Sequence, residues 1–292
     1  MDFDTFMAQA WADHAADAEG VAKRLSEQAV ALLSSESQLV QLMNLSHHLW
    51  GAHLHNAACG QASFGALMTS AHFVPHAESA ATASRCMASL SLTESADFSL
   101  AALSPSDQIR VLAVAAANLA DVNAARGTQL LQAALYQAER SGLPVADPMN
   151  RAMAVAGHNL AAALEEKSSL SADEIALMWM AAKASRVYWE RAGTWLQVQR
   201  AEYQLATTFL KAGDLVQAEF HARECGRIVT ENKAPALEKF FAAEALARVM
   251  RASKNEAAFV VVCDQARTAF DGLAADDKAW CVGSLKKLVW TD

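Results

Sequence analysis

The sequence predicts an all-α protein in which antiparallel helix pairs stack into a right-handed α-α superhelix. Three observations carry that expectation. A short phrase returns at nearly even spacing, Asn118-Leu119-Ala120, Asn159-Leu160-Ala161, Gln204-Leu205-Ala206 and Ala245-Leu246-Ala247, with leucines 41, 45 and 41 residues apart. A fixed period in this range marks stacked units, none of which can bury its apolar face without a neighbour. Apolar residues also recur at helical spacing, as in Met149, Met153, Ala156, Leu160 and Ala163, and again in Val198, Ala201, Leu205 and Phe209. Finally, Ser104-Pro105 and Asp147-Pro148 each set a capping side chain before a proline at the first helical position.

Taken in order, Phe3 to Leu33 carries one or two helices, so that residues 1–36 cap the array. Residues 37–104 read as degenerate repeats. Asn44-Leu45-Ser46 lies 74 residues before Asn118, about two periods, within a helix rich in Leu39, Leu42, Leu49 and Trp50. Residues 75–103, with Pro75 and the Ser/Thr-rich stretch Ser89 to Ser99, read either as a degenerate repeat or as a loosely ordered connection. Clearer repeats fill 105–272, with helices predicted over 105–122, 128–140, 148–166, 172–192, 195–212, 214–231, 235–252 and 255–271. Ser171 to Glu174 has capping-box spacing, and Gly213-Asp214 and Ser253-Lys254-Asn255 interrupt the apolar pattern. Val260-Val261-Val262 has β character, but it sits inside a stretch free of turn residues and is assigned to a helix. A helix over 276–290 caps the carboxy-terminal segment 273–292.

The composition fits one continuous helical array, at 53% hydrophobic and 19% charged residues. A net charge of −8 opposes the phosphate backbone, so nucleic acid is not an expected partner. The five cysteines, Cys59, Cys86, Cys225, Cys263 and Cys281, are scattered and form no CxxC pair, which suggests reduced, mostly buried thiols. The start lacks a basic, apolar leader and no apolar run approaches the ~20 residues of a membrane span. Neither membrane association nor a secretory route is expected, and the localisation expected is cytoplasmic.

At Leu205-Ala206, Phe209, Gly213-Asp214-Leu215, Ala218, Ala222 and Cys225 the sequence resembles the tetratricopeptide repeat. The pattern extends over residues 105–272, with a longer period than the family's 34 residues and without its tryptophan and closing proline in the best unit. It is similar to the variant arrays of about 40 residues in bacterial regulatory proteins. The resemblance implies a concave face, lined by the first helix of each pair, that grips a protein or peptide ligand.

With the repeated leucines directed inward, that face carries His158 and Asn159, then Arg200, Tyr203, Thr207 and Lys211, then Glu244, Arg248 and Arg251. Its basic bias within an acidic chain suggests a carboxylate or acidic peptide, since arginine presents a fork to carboxylates. Asn159 is singled out because some tetratricopeptide domains hold a ligand's main chain with an asparagine at this place, while Asn44 and Asn118 are expected to bond the backbone of an adjoining repeat. Tyr188, Trp189 and Trp195, near Arg186 and Arg191, read as packing between repeats. His47, His48, His53 and His55 form the one metal-like cluster, yet His48 and His55, sharing a helix face seven residues apart, are about 10 Å apart along an α-helix. No metal, cofactor or catalytic residue is expected: GxSxG, HExxH and phosphate-loop motifs are absent, and His158, Glu165 and Glu166 have no motif to select them.

The expectation is a protein- or peptide-binding adaptor. Its alternatives are a sensor closing on a small acidic metabolite or signalling peptide, a helical enzyme, and a homo-oligomer that buries the inner face.

Overall fold

A computed structural model describes residues 1–289. Among the described residues it holds fourteen α-helices and no strand. The last predicted helix is found at Ala275–Val289, and residues 290–292 of the segment expected to cap the array lie outside the described residues. No helix is long and apolar enough to cross a membrane among those described. The chain forms two compact units, Met1–Ala152 and a second that begins at Met153.

The first unit contains α1 (Phe3–Asp13), α2 (Ala18–Gln28), α3 (Glu36–His48), α4 (Ala57–Leu67), α5 (Glu78–Glu94), α6 (Pro105–Asn118) and α7 (Ala124–Arg140), followed by the start of α8 (Pro148–Glu166). Side-chain caps begin most of them: Asp2, Asp17, Ser35, Asn56, Ser104 and Asn123 each accept a hydrogen bond from a backbone amide three residues on. Asp147 accepts from the Met149 amide at 2.8 Å. Phe6, Leu39, Leu42, Met43, Leu45, Leu49, Phe64 and Leu90 form the core. Two departures from regular geometry flank α3: a 3₁₀ turn at Ala29–Leu32 ends α2, and a π-helical turn at Leu49–His53 continues α3.

Of residues 75–103, left open by the sequence, Glu78–Glu94 form the helix α5, which takes in the first part of the Ser/Thr-rich stretch, and residues 95–103 are an irregular connection. The hydroxyls of α5 turn back to carbonyls one turn earlier, as from Ser84 to Ala80 at 2.9 Å and from Ser91 to Met87 at 3.0 Å, which lets polar residues sit inside a helix. Helix α6 stops at Asn118 rather than at 122, because Leu119 already leaves helical geometry.

The second unit contains the rest of α8 with α9 (Ala172–Ala192), α10 (Trp195–Lys211), α11 (Leu215–Glu231), α12 (Ala236–Ala252), α13 (Glu256–Asp271) and α14 (Ala275–Val289). Its most extensive contacts pair α10 with α11 and α12 with α13. Ser171 and Thr194 open α9 and α10 with full capping boxes. One turn is then used three times. Gly213, Lys233 and Lys254 take positive φ of 82°, 48° and 56° immediately after α10, α11 and α12. The following amides, of Asp214, Ala234 and Asn255, donate to the carbonyls of Phe209, Val229 and Met250 at 3.0, 3.0 and 2.9 Å. This is the Schellman closure, used at three consecutive helix ends. Gly157 is required for close packing of α8 on α9, since a Cβ there would lie 2.6 Å from the Ala181 carbonyl.

Candidate functional site

Helix α10 is the polar centre of the second unit. Gln199, Glu202, Gln204, Thr207 and Thr208 are all buried along it. A buried polar group without a partner costs about 1–3 kcal/mol; Gln199 Nε2 donates to Cys225 Sγ at 3.0 Å while its Oε1 has no partner, and the helices around α10 supply the others. Glu202 accepts from Arg186 Nε of α9 at 2.5 Å and from His221 Nδ1 of α11 at 2.7 Å. The His221 ring in turn stacks on Phe209 with 2° between planes. Gln204 exchanges two hydrogen bonds of 2.9 Å with His158 of α8: His158 Nδ1 donates to Gln204 Oε1, and Gln204 Nε2 donates to the His158 carbonyl.

The candidate residues named from the sequence divide between this seam and its rim. Thr207 Oγ1 donates to Glu165 at 3.0 Å, and Thr208 donates to the other oxygen of the same carboxylate. Tyr203 Oη donates to Glu244 at 3.0 Å, while Arg248 lies 3.5 Å from the second Glu244 oxygen. Arg200 reaches across to buried Glu238 at 2.6 Å. Lys211 Nζ donates to the Lys167 carbonyl at 2.5 Å. Arg251 donates to the Lys287 and Leu288 carbonyls at the end of α14, and its guanidinium lies 4.5 Å from the Phe259 ring centroid. His158 and Asn159 are exposed. The structure therefore brings Tyr203, Thr207, Lys211 and Arg248 around two carboxylates, while the cations expected to wait for a ligand already hold internal partners.

Electrostatics separate these glutamates. Burial raises the Glu165 carboxyl above its ordinary value against the two threonine hydroxyls, and burial likewise raises Glu244 against Arg248 and Tyr203. At Glu202 burial is outweighed by the His221 and Arg186 hydrogen bonds, and the carboxyl is held below its ordinary value. Burial, with Glu244 beside it, keeps the Tyr203 phenol strongly protonated.

A larger opening lies elsewhere in the same unit. A groove of about 1210 Å³ is lined by Ala222, Gly226 and Arg227 of α11, by Lys239, Ala243 and Leu246 of α12, and by Thr268 and Ala269 of α13. Alanines and glycine recess its floor. Arg223, Arg227, Lys233 and Lys239 face Glu231 and Asp264 around it, four cations to two carboxylates. Arg223 and Arg227 are held by Glu219, Glu224 and Glu231, whereas Lys233 and Lys239 are exposed. Sequence reasoning missed this place because it followed the first helix of each pair. The signal available was a run of small residues at helical spacing on α11 and α12.

In the first unit, a cavity of about 180 Å³ is lined by Asn44, His47, Arg85, Cys86 and Arg110 among others. Arg85 is held by Glu78 at 2.5 Å and by Asp107 at 3.2 Å, and Arg110 shares Asp107 at 3.1 Å. Burial pushes His47 down to about 4 and the Cys86 thiol up to about 12, so both are neutral near pH 7. Four of the five cysteines are buried; Cys59 is exposed. Asn118 does not bond a neighbouring backbone as expected: its buried Nδ2 has no hydrogen-bond partner and lies where a Cβ on Gly51 would fall, 2.3 Å away. Tyr188 is buried beneath the Arg191 guanidinium at 4.9 Å, in keeping with packing. His48 and His55 do not share a face, because the π turn intervenes; His55 lies 3.5 Å from Asp121 instead.

No protein-family model matches the chain, and no curated protein sequence or solved structure is significantly similar to it.

Proposed function

We propose that the chain is a tetratricopeptide-like binding protein whose helix pairs form a superhelical array, and that it takes an acidic segment of a protein partner in the groove over α12. The observation that carries this is the groove itself. It presents a small-residue floor, apolar side chains such as Leu246 and Val229, and an excess of cations at the rim within a chain of net charge −8. A helix or extended peptide laid across α11 and α13 would bury apolar area on the floor and meet Lys233 and Lys239 with its carboxylates. The thrice-repeated turn supports a repeat architecture, because it gives successive helix pairs the same local geometry.

The face carrying His158, Asn159, Arg200 and Arg248 is the second surface for the same function, since their outer parts are exposed although Arg200 and Arg248 are ion-paired. The small cavity of the first unit favours a second reading, a sensor of a small acidic metabolite, through Arg85 and Arg110. Its volume of about 180 Å³ lies below the ~300 Å³ where ligand pockets usually begin, so peptide binding leads.

The test is selection of peptides from a random displayed library against the whole protein. Selected sequences rich in Asp and Glu, with binding lost in Lys233→Glu/Lys239→Glu and in the groove-filling Ala243→Leu, are expected. Equal binding to the parent and both variants would remove the groove, and loss only in Arg200→Glu/Arg248→Glu would move the site to the other face.

A further inference from the structure

We propose that His14, His48 and His53 form a binding site for a divalent transition-metal ion of the zinc class. The three residues come from separate places in the first unit: His14 follows the last residue of α1, His48 ends α3, and His53 ends the π turn. One ring nitrogen from each lies within 4.8 Å of those of the other two. The Nε2 atoms of His48 and His53 face each other at 3.1 Å, and the His14 ring centroid is 5.0 Å from both of theirs.

The π turn creates this convergence. Five residues of α-helix would carry His53 about 140° around the axis from His48, on another face. Closing the turn through i to i+5 hydrogen bonds, seen between the Leu54 amide and the Leu49 carbonyl at 2.8 Å, brings the two rings together. π turns of this type are frequent at functional sites.

The donor set and its spacing suit the metal. Zinc–nitrogen bonds of about 2.0–2.1 Å in a tetrahedron place neighbouring nitrogens about 3.3–3.4 Å apart, close to the separation at His48 and His53. A His14 nitrogen lies within 4.8 Å of both and would close on the ion as it binds. His14 Nδ1 lies 2.5 Å from the Trp11 carbonyl, and a carbonyl can only accept, so Nδ1 carries the proton and in the neutral ring Nε2 is the nitrogen left to ligate. That carbonyl contact is the usual outer partner of a metal-bound imidazole. Three neutral nitrogens select a zinc-class cation over calcium or magnesium, which prefer oxygen. All three residues are half-buried, and three protein ligands would leave a fourth position of the ion for water. The other two histidines of the stretch are excluded by direction: His47 turns inward to Ser89 at 3.2 Å and His55 to Asp121.

The experiment uses the whole chain freed of any affinity tag, titrated with zinc against a chromophoric chelator and with cobalt for its visible absorption. One equivalent of metal is expected, with the cobalt spectrum of a tetrahedral nitrogen site. His14→Ala and His53→Ala should each weaken binding by at least the roughly 10–100-fold that follows loss of an outer-sphere partner alone. His55→Ala should bind as the parent does. Trp11, its ring centroid 5.5 Å from that of His48, gives a second readout: quenching by copper that disappears in Trp11→Phe. His14 lies past the end of α1, so His14→Ala leaves the helices intact. Unchanged affinity in that folded variant, or the absence of stoichiometric binding by the parent, would overturn the assignment.

Discussion

The two units handle irregularity in opposite ways. The second repeats one device, a left-handed residue after each of α10, α11 and α12, and supplies partners for every charged group buried along α10. The first departs from α-geometry where α3 ends, at Leu49–His53, and there gathers histidines and sets Gly51 against the Asn118 side chain, whose amide donor has no partner. One unit repeats a single helix-end closure, and the other departs from α-geometry at one turn and brings histidines together there.

The largest expected effect falls on the second unit. Glu202→Ala leaves Arg186 and His221 without their shared carboxylate and should cost about 3–5 kcal/mol, read as a lower midpoint in chemical unfolding. A cost under ~1 kcal/mol would break the contrast, since it would make the seam dispensable. Next comes the π turn. Gly51→Ala drives a Cβ into the Asn118 side chain and should cost about 1–3 kcal/mol, with part of the loss recovered by adding Asn118→Ala. No recovery in the double variant would show that the turn itself, and not this contact, requires glycine.

The pH dependence sharpens the comparison within α10 and its neighbours. Glu202, with its folded value lowered, contributes stability that is complete above the ordinary carboxyl value of 4.5 and is lost as pH falls from there through the folded value. Glu165 and Glu244, with folded values raised, bind protons more readily in the folded state, so their contribution falls as pH rises from 4.5 through the folded values. Glu165→Gln should therefore flatten the decline in melting temperature on the neutral side, and Glu202→Gln should remove the loss on the acid side. Smallest is Lys254→Gly, which relieves a left-handed residue and should add about 0.5–1 kcal/mol, the strain released less the entropy glycine gives the unfolded chain.

Legibility followed the same division. The helices from 148 to 271 lie within a residue of their expected bounds because their starts carry readable caps at Ser171, Thr194, Asp214 and Asn255, and their ends carry turn residues. At α7 the start was missed by four residues, because Asn123 caps a first turn of small residues that shows little apolar period. The π turn was invisible: periodicity arguments assume 3.6 residues per turn, which directs His48 toward His55 and away from His53. His14 lay beyond any local search, since only folding brings α1 beside α3. Of the candidate binding residues, positions on α10 were legible from the apolar stripe, but their occupancy was not. Whether Arg200 is free depends on Glu238, 38 residues away and on another helix.

The most direct test of the binding function is site-specific photocrosslinking in cells, with the photoreactive residue placed in turn at Ala243 on the groove floor, at Asn159 on the second face and at exposed Tyr136 in the first unit as a control. A protein adduct that forms from Ala243, maps to an acidic segment of the partner and disappears with Lys233→Glu/Lys239→Glu is the predicted result. Adducts absent from both Ala243 and Asn159, or equal to those from Tyr136, would contradict a peptide-binding role for the second unit.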